Sequence, residues 1–519
     1  MAKSLYIVNP ASDFPNYVSA DILAVSGLAP GVAMADSASA TVAAMASKDF
    51  DVSICDENIT PVDFDHAADW IAITGKVNQR GRMIAIADEF RRRGKRVVIG
   101  GPYASLSPAH LRDHCDVLVS GECEAIAAEL FADLAHGNPR DSYIGDKPDI
   151  SESPAPRWDL YPNDAALMGT LQTSRGCPFE CEFCDVIQYL GRKQRHKPIA
   201  NVLAELDQLY RLGYHTVFLA DDNFTAYRSR AKELLEAMAW WRKTRKMDFI
   251  TQVSIDAARD IELLDMCADA GLTQVFIGIE TPNVESLRET GKRQNLRIDI
   301  GSEVQKFIDH GITVMGGMIV GFDHDGPDVF ANQYEFAQST AVPIYTLGAL
   351  TATEATPLYD RMVTEGRLKI AGPETQAVPW GSNIESLTMS NDEFQAGMQN
   401  LCNALYSPEA FGERMLRLID SYGRARPDVA PTPIEEAMLR RADRGAIEVA
   451  GAVRKMGEAE GRMWNKVVGA AARRKPVLAP LVTRMLFQYA QARLMFERGN
   501  YWNRSLAAPP RRCALAEAS

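Results

Sequence analysis

"GTLQTSRGCPFECEFCDV" spans residues 169–186. Its first part is apolar and strand-like, and it runs directly into a loop carrying Cys177, Cys181 and Cys184, spaced C-x3-C-x2-C. Thiolates are soft ligands suited to zinc or to iron–sulfur chemistry. Spacing this tight lets one loop wrap one small cluster. A sealed structural metal site takes four protein ligands, and no fourth cysteine lies near. Three thiolates on a four-iron cluster leave one iron open to a substrate or cofactor. The competing reading is a Cys3His zinc site completed by His196. The aromatic residues of "PFECEF" and the loop's place at a strand end favour the cluster.

Downstream, strand patterns recur at "GTLQTSRG" (169–176), "TVFLADD" (216–222), "FITQVSID" (249–256), "QVFIGIE" (274–280), "TVMGGMIVGF" (313–322) and "YTLGALTA" (345–352). Helical patterns separate them. One is "ANVLAELDQLYRLGY" (200–214), with Val202, Leu203, Leu206, Leu209 and Tyr210 on one face. Six βα units predict a (β/α)6 partial barrel over 167–370, short of the eight strands of a full barrel. The cysteine loop follows its first strand, which places it at the catalytic mouth.

Upstream, "SLYIVNP", "DVSICDE", "WIAITG", "RVVIGG" and "VLVSGE" read as buried strands that end in turn residues. Helix-like stretches lie between them. Met83, Ile84, Ile86, Ala87 and Phe90 share a face of one, and Gly137 suits the C-cap of another. This α/β alternation predicts a doubly wound, Rossmann-like domain over 1–148. Ligands of such sheets bind beyond the carboxyl ends of the strands. The loops there are "DEN" (56–58), "TGK" (74–76), "GGPYAS" (100–105) and "SGECE" (120–124). Residues 149–166 are proline-rich and polar and read as a linker. Residues 371–519 read as mostly helical, with apolar faces suited to packing and a frayed end at "SLAAPPRRCALAEAS".

The chain has 519 residues, enough for two or three domains. Its net charge of −12 points away from a nucleic-acid substrate. Of nine cysteines, Cys55, Cys115, Cys123, Cys267, Cys402 and Cys513 are scattered, which is no disulfide framework. "MAKSLYIVNP" lacks the apolar core of a signal peptide, and no run has the length of a transmembrane helix. The expectation is a cytoplasmic protein, with peripheral membrane contact left open should the substrate be hydrophobic.

The C-x3-C-x-aromatic-C loop after the first strand of a partial barrel resembles the signature of the radical S-adenosylmethionine (SAM) enzymes. The resemblance implies a 4Fe-4S cluster on Cys177, Cys181 and Cys184, with the open iron chelated by the amino and carboxylate groups of SAM. One electron, from a donor such as flavodoxin or ferredoxin, then cleaves the sulfonium and yields a 5′-deoxyadenosyl radical. The strand-end positions that match the family's SAM contacts are Asp221, Asp222 and Asn223 of "DDNF", Gln252 and Ser254, Gly278 and Glu280 of "GIET", and Gly317 of "GMIVGFD". Arg192 and Arg195 of "GRKQRHK" are candidate partners for the methionine carboxylate.

A doubly wound domain directly before such a barrel resembles the cobalamin-binding subclass. "GGP", "GE", "DDNF", "GIETP", K-x-QN (Lys292, Gln294, Asn295) and "TPLYDRM" with "EGRL" recur together, as in the subgroup with hopanoid C-2 methylases. The implied cobalamin contacts are Asn58, Thr74, Gly75, Gly100, Gly101, Gly121 and Glu122. Asn58 stands where many such domains carry a histidine, so cobalamin would bind without histidine ligation. The usual "PPLGL" is absent, and "MADSASATVAAM" (34–45) occupies that stretch, which reshapes the corrin pocket or the substrate cavity. The implied reaction is methyl transfer to an unactivated carbon of a small molecule, such as a polycyclic lipid or a tetrapyrrole. Radical cyclisation, oxidation or rearrangement without methyl transfer is the rival. A tRNA methylthiotransferase would need three more cluster cysteines, and Cys55, Cys115 and Cys123 lie on separate elements. A non-catalytic metal-binding scaffold is the last alternative.

Overall fold

The computed structural model describes residues 3–369, 378–423 and 440–512. Seven strands precede the cysteine loop's own strand: β1 (Lys3–Asn9), β2 (Val32–Met34), β3 (Phe50–Asp56), β4 (Trp70–Thr74), β5 (Arg96–Gly100), β6 (Val117–Ser120) and β7 (Ser142–Ile144). All but β2 form one parallel sheet in the order β3-β1-β4-β5-β6-β7. The sheet forms because its runs are apolar on both faces: Leu5, Ile7 and Val8, and likewise Val97 and Ile99, are almost wholly buried. Helix Arg80–Arg92 covers one face through Met83, Ile86, Ala87 and Phe90. Helix Ala127–His136 ends at Gly137, whose φ of +80° is the left-handed cap that glycine supplies.

The second sheet is the partial barrel. Its strands are β8 (Ala166–Leu171), β11 (Thr216–Leu219), β12 (Asp248–Val253), β13 (Leu272–Glu280), β14 (Thr313–Val320) and β15 (Ile344–Ala349), all parallel. Between β8 and β11 the chain makes a small antiparallel pair, β9 (Ser174–Arg175) with β10 (Arg195–His196). β2 leaves the first sheet and pairs with β8, giving the order β15-β14-β13-β12-β11-β8-β2. The stretch "MADSASATVAAM" thus ends a barrel strand at Met34 and then forms helix Ser37–Ala46, capped by Asp36 accepting from the Ser39 N–H.

One expectation needs correction. Residues 149–166 are no free linker. Trp158 is fully buried, the Arg157 N–H donates to Ala40 O at 2.9 Å, and the Tyr161 hydroxyl donates to Asp56 at 2.7 Å. Large aromatics among the prolines give the segment something to bury, so it packs as a strap. The C-terminal region is helical as expected, and its apolar faces pack against the barrel. Helix Ala479–Arg498 is buried on nearly every side, including Met485, Tyr489, Gln491, Met495 and Phe496. It contacts β15, helix Ile22–Val25 and helix Arg441–Ala452, the last of which touches β8. It therefore fills the gap that six barrel strands leave open. Its apolar residues pack protein. No described helix is long and apolar enough to cross a membrane. The sequence-predicted helix from residue 433 lies outside the described residues as far as 439.

Candidate active site

The cysteine loop is positioned by the end of β11. Asp221 is fully buried and accepts from the N–H groups of Thr173 (2.7 Å) and Ser174 (3.1 Å) and from both of their hydroxyls. Asp222 accepts the Gly176 N–H at 2.9 Å. Gly176 has φ +94°, and a Cβ there would fall 2.8 Å from Lys193 O. Only glycine allows that approach. The Cys177 N–H then donates to Gly191 O (3.2 Å), the Glu182 N–H to Thr290 O (3.0 Å) and the Cys184 N–H to Cys181 O (3.1 Å). Gln194, buried, donates to Ser174 Oγ and Asn223 O, and Asn223 donates to Ser254 Oγ at 2.7 Å. "DDNF" and Ser254 are thus one hydrogen-bonded frame beneath the loop.

Burial pushes the Cys177 thiol up, with the neighbouring Cys181 adding to it, and pushes Cys184 to about 12. Unaided, these two would be protonated. A bound cationic centre is what makes such a site thiolate. Among the described residues no three His, Cys, Asp or Glu side chains are grouped closely enough to hold a metal ion. The chemistry of three cysteines on one short loop, free of disulfides, fits a multinuclear cluster. The zinc alternative fails on His196, whose ring packs edge-on against Tyr227 and faces Arg230 and Glu233. Cys55 and Cys115 are buried in one apolar cluster of the first domain and Cys123 packs on another, each thiol of the first pair donating to a nearby carbonyl.

A cavity of about 430 Å³ runs from the residues that flank the cysteine loop to the first domain, and none of the three cysteines lines it. On the barrel side it is lined by Gln172, Arg175, Tyr189, Ala220, Asp222 and Gln252. On the other side stand Thr74, Gly100, Gly101, Gly121 and Glu122, at the carboxyl ends of β4, β5 and β6. From there it continues beneath helix Ser37–Ala46, where Ser37, Ala38, Thr41, Val42 and Met45 line it, and against Leu130, Phe131 and Leu134. The size is that of a pocket for a small-molecule or cofactor ligand. Gly101 has φ +95°, and a Cβ there would meet Thr74 Oγ1 at 2.6 Å. These features fit an organic cofactor held at the strand ends.

Some expected contacts stand elsewhere. Asn58 does not line the cavity: it follows the edge strand β3, and its amide folds back onto Asp56 Oδ1 at 2.8 Å. Gly75 is likewise outside the lining. Arg192 is exposed on the outer side of the loop and pairs with Glu180, so it does not reach the mouth. Arg195 is spent on Glu122 (2.5 and 2.9 Å) and on Pro148 O. Glu122 lines the cavity, but its carboxylate binds Arg175 (2.7 Å) as well as Arg195. Glu124 takes the other arm of Arg175 at 2.6 Å. Glu280 is bound to Lys292 at 2.7 Å. Gly317 sits on β14, where a Cβ would meet Phe276 at 2.7 Å. The Glu122–Arg175–Arg195 group and Tyr189 went unread in the sequence, because nothing in local spacing pairs a first-domain loop with residues beyond the linker.

Residues 171–337 match the radical SAM superfamily, and residues 356–495 match a domain of unknown function, DUF4070. An uncharacterized methyltransferase of Synechocystis is 35% identical over 393 residues, 73% of this chain and 72% of the relative. The hopanoid C-2 methylase of Rhodopseudomonas palustris is 29% identical over 411 residues, 77% and 76% of the two chains. Among solved structures, the radical SAM methyltransferase TsrM of Kitasatospora setae, with cobalamin and a 4Fe-4S cluster bound, aligns with a TM-score of 0.58 at 15% identity. That alignment covers 91% of this chain and all of the other, and it shows the shared fold. The chain belongs to the radical SAM superfamily, among its methyltransferases.

Proposed function

We propose that this protein is a cobalamin-dependent radical SAM methyltransferase that places a methyl group on an unactivated carbon of a small molecule. The observation that carries the reading is the cavity between the strand ends of the two sheets, which opens beside the residues that flank the three-cysteine loop. When bound, the cluster with SAM supplies a hydrogen-abstracting adenosyl radical, and the corrin carries the methyl group.

Cys177, Cys181 and Cys184 hold the cluster and leave one iron without a protein ligand. Asp221 and Asp222 fix the loop's path, and Asn223, Gln252, Ser254 and the end of β13 frame the space where SAM binds. Thr74, Gly100, Gly101 and Gly121 would hold the corrin, and helix Ser37–Ala46 lines the same cavity. The filled barrel gap directs substrate to the space between the two sheets and keeps water from the side. The names of the relatives suggest an apolar polycyclic or tetrapyrrole substrate, and a low-potential one-electron carrier completes the system.

The test is anaerobic reconstitution with iron, sulfide and cobalamin, then reduction and addition of SAM. Wild type should hold a corrin by its absorption spectrum and release 5′-deoxyadenosine, and Cys181→Ala should release none. A protein that cleaves SAM but holds no corrin would reject methyl transfer and leave the cyclase-type reading. Unchanged product formation by Cys181→Ala would sink the radical reading altogether.

A further inference from the structure

The K-x-QN motif lies outside the cavity lining, yet it is built tightly against the cysteine loop. β13 is irregular between Gly278 and Glu280, where its register with β14 shifts. Glu280 has φ +63°, a left-handed conformation that a non-glycine residue adopts only under constraint. The constraint is visible. Asn295 donates to the carbonyls of Gly278 (3.0 Å) and Ile279 (2.9 Å), and Gln333 donates to that of Glu280 (3.0 Å). So held, Glu280 meets the Lys292 ammonium at 2.7 Å. A Cβ on residue 278 would fall 2.2 Å from Glu280 Oε1 and 2.8 Å from Lys292 Nζ, so the pair occupies room that only Gly278 provides.

Burial works against the charge of Lys292, and the Glu280 carboxylate beside it offsets that. Two positions on, the Gln294 amide Nε2 lies 3.7 Å from Cys181 Sγ, within reach of a hydrogen bond to sulfur. A metal-bound thiolate only accepts, so the amide must present its N–H here, as it does. Its Oε1 is buried and without a hydrogen-bond partner. An amide that leaves its own acceptor unmatched is placed for what its donor does.

We infer that Gln294 is a positioning residue that sets the reduction potential of the cluster. The inference rests on the cluster proposed for Cys177, Cys181 and Cys184. Reduction adds one electron, supplied by an external one-electron donor, and thus one negative charge to the iron–sulfide–thiolate unit. An N–H directed at a ligating sulfur stabilises that added charge and raises the potential. The motif makes the cluster easier to reduce without touching the open iron.

The test is an EPR-monitored redox titration with dithionite of anaerobically reconstituted protein, with no substrate present. Gln294→Leu should keep wild-type iron and sulfide content and melting temperature while its midpoint moves to a more negative potential. Lys292→Met combined with Glu280→Gln removes one charge of each sign and leaves the donor to sulfur in place, so its midpoint should stay at the wild-type value. Should Gln294→Leu lose iron, Gln294→Met decides, because it removes the N–H and keeps the length of the side chain. A wild-type midpoint in the Gln294 variant would overturn the inference. A wild-type protein that takes up no reducible cluster would instead overturn the proposed function.

Discussion

Gly121 shows how much of the site depends on an absent atom. Its φ is +79°, and a Cβ there would lie 2.0 Å from the carbonyl oxygen of Gly145. Gly145 in turn would place a Cβ 2.1 Å from Glu122 O. The loops after β6 and β7 pack backbone to backbone, and this sets where Glu122 emerges. Gly121→Ala should cost about 2–3 kcal/mol, read as a lower urea midpoint with an unchanged slope. Asp325 offers a pH test. It is fully buried and accepts from the Gly321 and Phe322 N–H groups and the Ser286 hydroxyl, yet burial pushes its carboxyl up to about 6. An unfolded aspartate ionises near 3.9. The folded state therefore favours the protonated acid, and the stability this group contributes is full below about pH 4 and lost as pH rises through about 6. Asp325→Asn cannot ionise, so its urea stability relative to wild type should improve by roughly 2 kcal/mol between pH 4 and 7. Parallel pH profiles for the two proteins would show that Asp325 stays charged throughout.

Helix Pro357–Thr364 is the element that ties the barrel's exit back to its entrance. Thr356 caps it by accepting from the Tyr359 N–H. Its Arg361 reaches Glu182, between the cluster cysteines, with two arms at 2.7 and 3.1 Å, and also binds Asp323 (2.6 Å) and Glu289 (3.3 Å). The Leu358 N–H donates to Glu182 O at 3.2 Å. Glu182 is thus pinned by its N–H, its carbonyl and its carboxylate, which fixes the loop between Cys181 and Cys184. Arg361→Met should loosen the loop by about 2 kcal/mol. The expected result is less iron retained per chain after desalting, with an unchanged far-ultraviolet circular dichroism spectrum, and partial recovery in Arg361→Lys. Iron retention equal to wild type would show that the backbone bonds hold the loop unaided. Elements like this one were legible as patterns, since six apolar barrel runs and five in the first domain announce themselves. Their side-chain partners were not: Glu182 and Arg361 are 179 positions apart. β2 and β7 are three residues each, too short to carry a period.

The whole molecule is two parallel sheets whose facing carboxyl ends define the cavity, and what holds the ends in register decides whether the site exists. The order of sheets and the cluster loop could be read from alternation and cysteine spacing. The closure of the barrel by helix Ala479–Arg498 could not, because a helix apolar on most sides shows no amphipathic face to place it. The register of the two sheets was equally hidden, for it rests on buried charges drawn from three segments. Glu122 of the first domain binds Arg175 and Arg195, which bracket the cysteine loop, and all three are largely buried. The strap adds a second tie through Tyr161 and Asp56. Removing one member of a buried ion pair leaves uncompensated charge and costs about 3–5 kcal/mol. In Glu122→Ala two guanidinium groups lose their shared carboxylate, although Arg175 keeps Glu124. The first sheet should then melt ahead of the barrel, so that one calorimetric transition becomes two. Corrin retention should fall with the first of them, while the cysteines, untouched, still take up iron. A single transition at the wild-type temperature would mean that the strap alone sets the two sheets against each other, and that Glu122 serves only to keep Arg175 and Arg195 clear of the cavity.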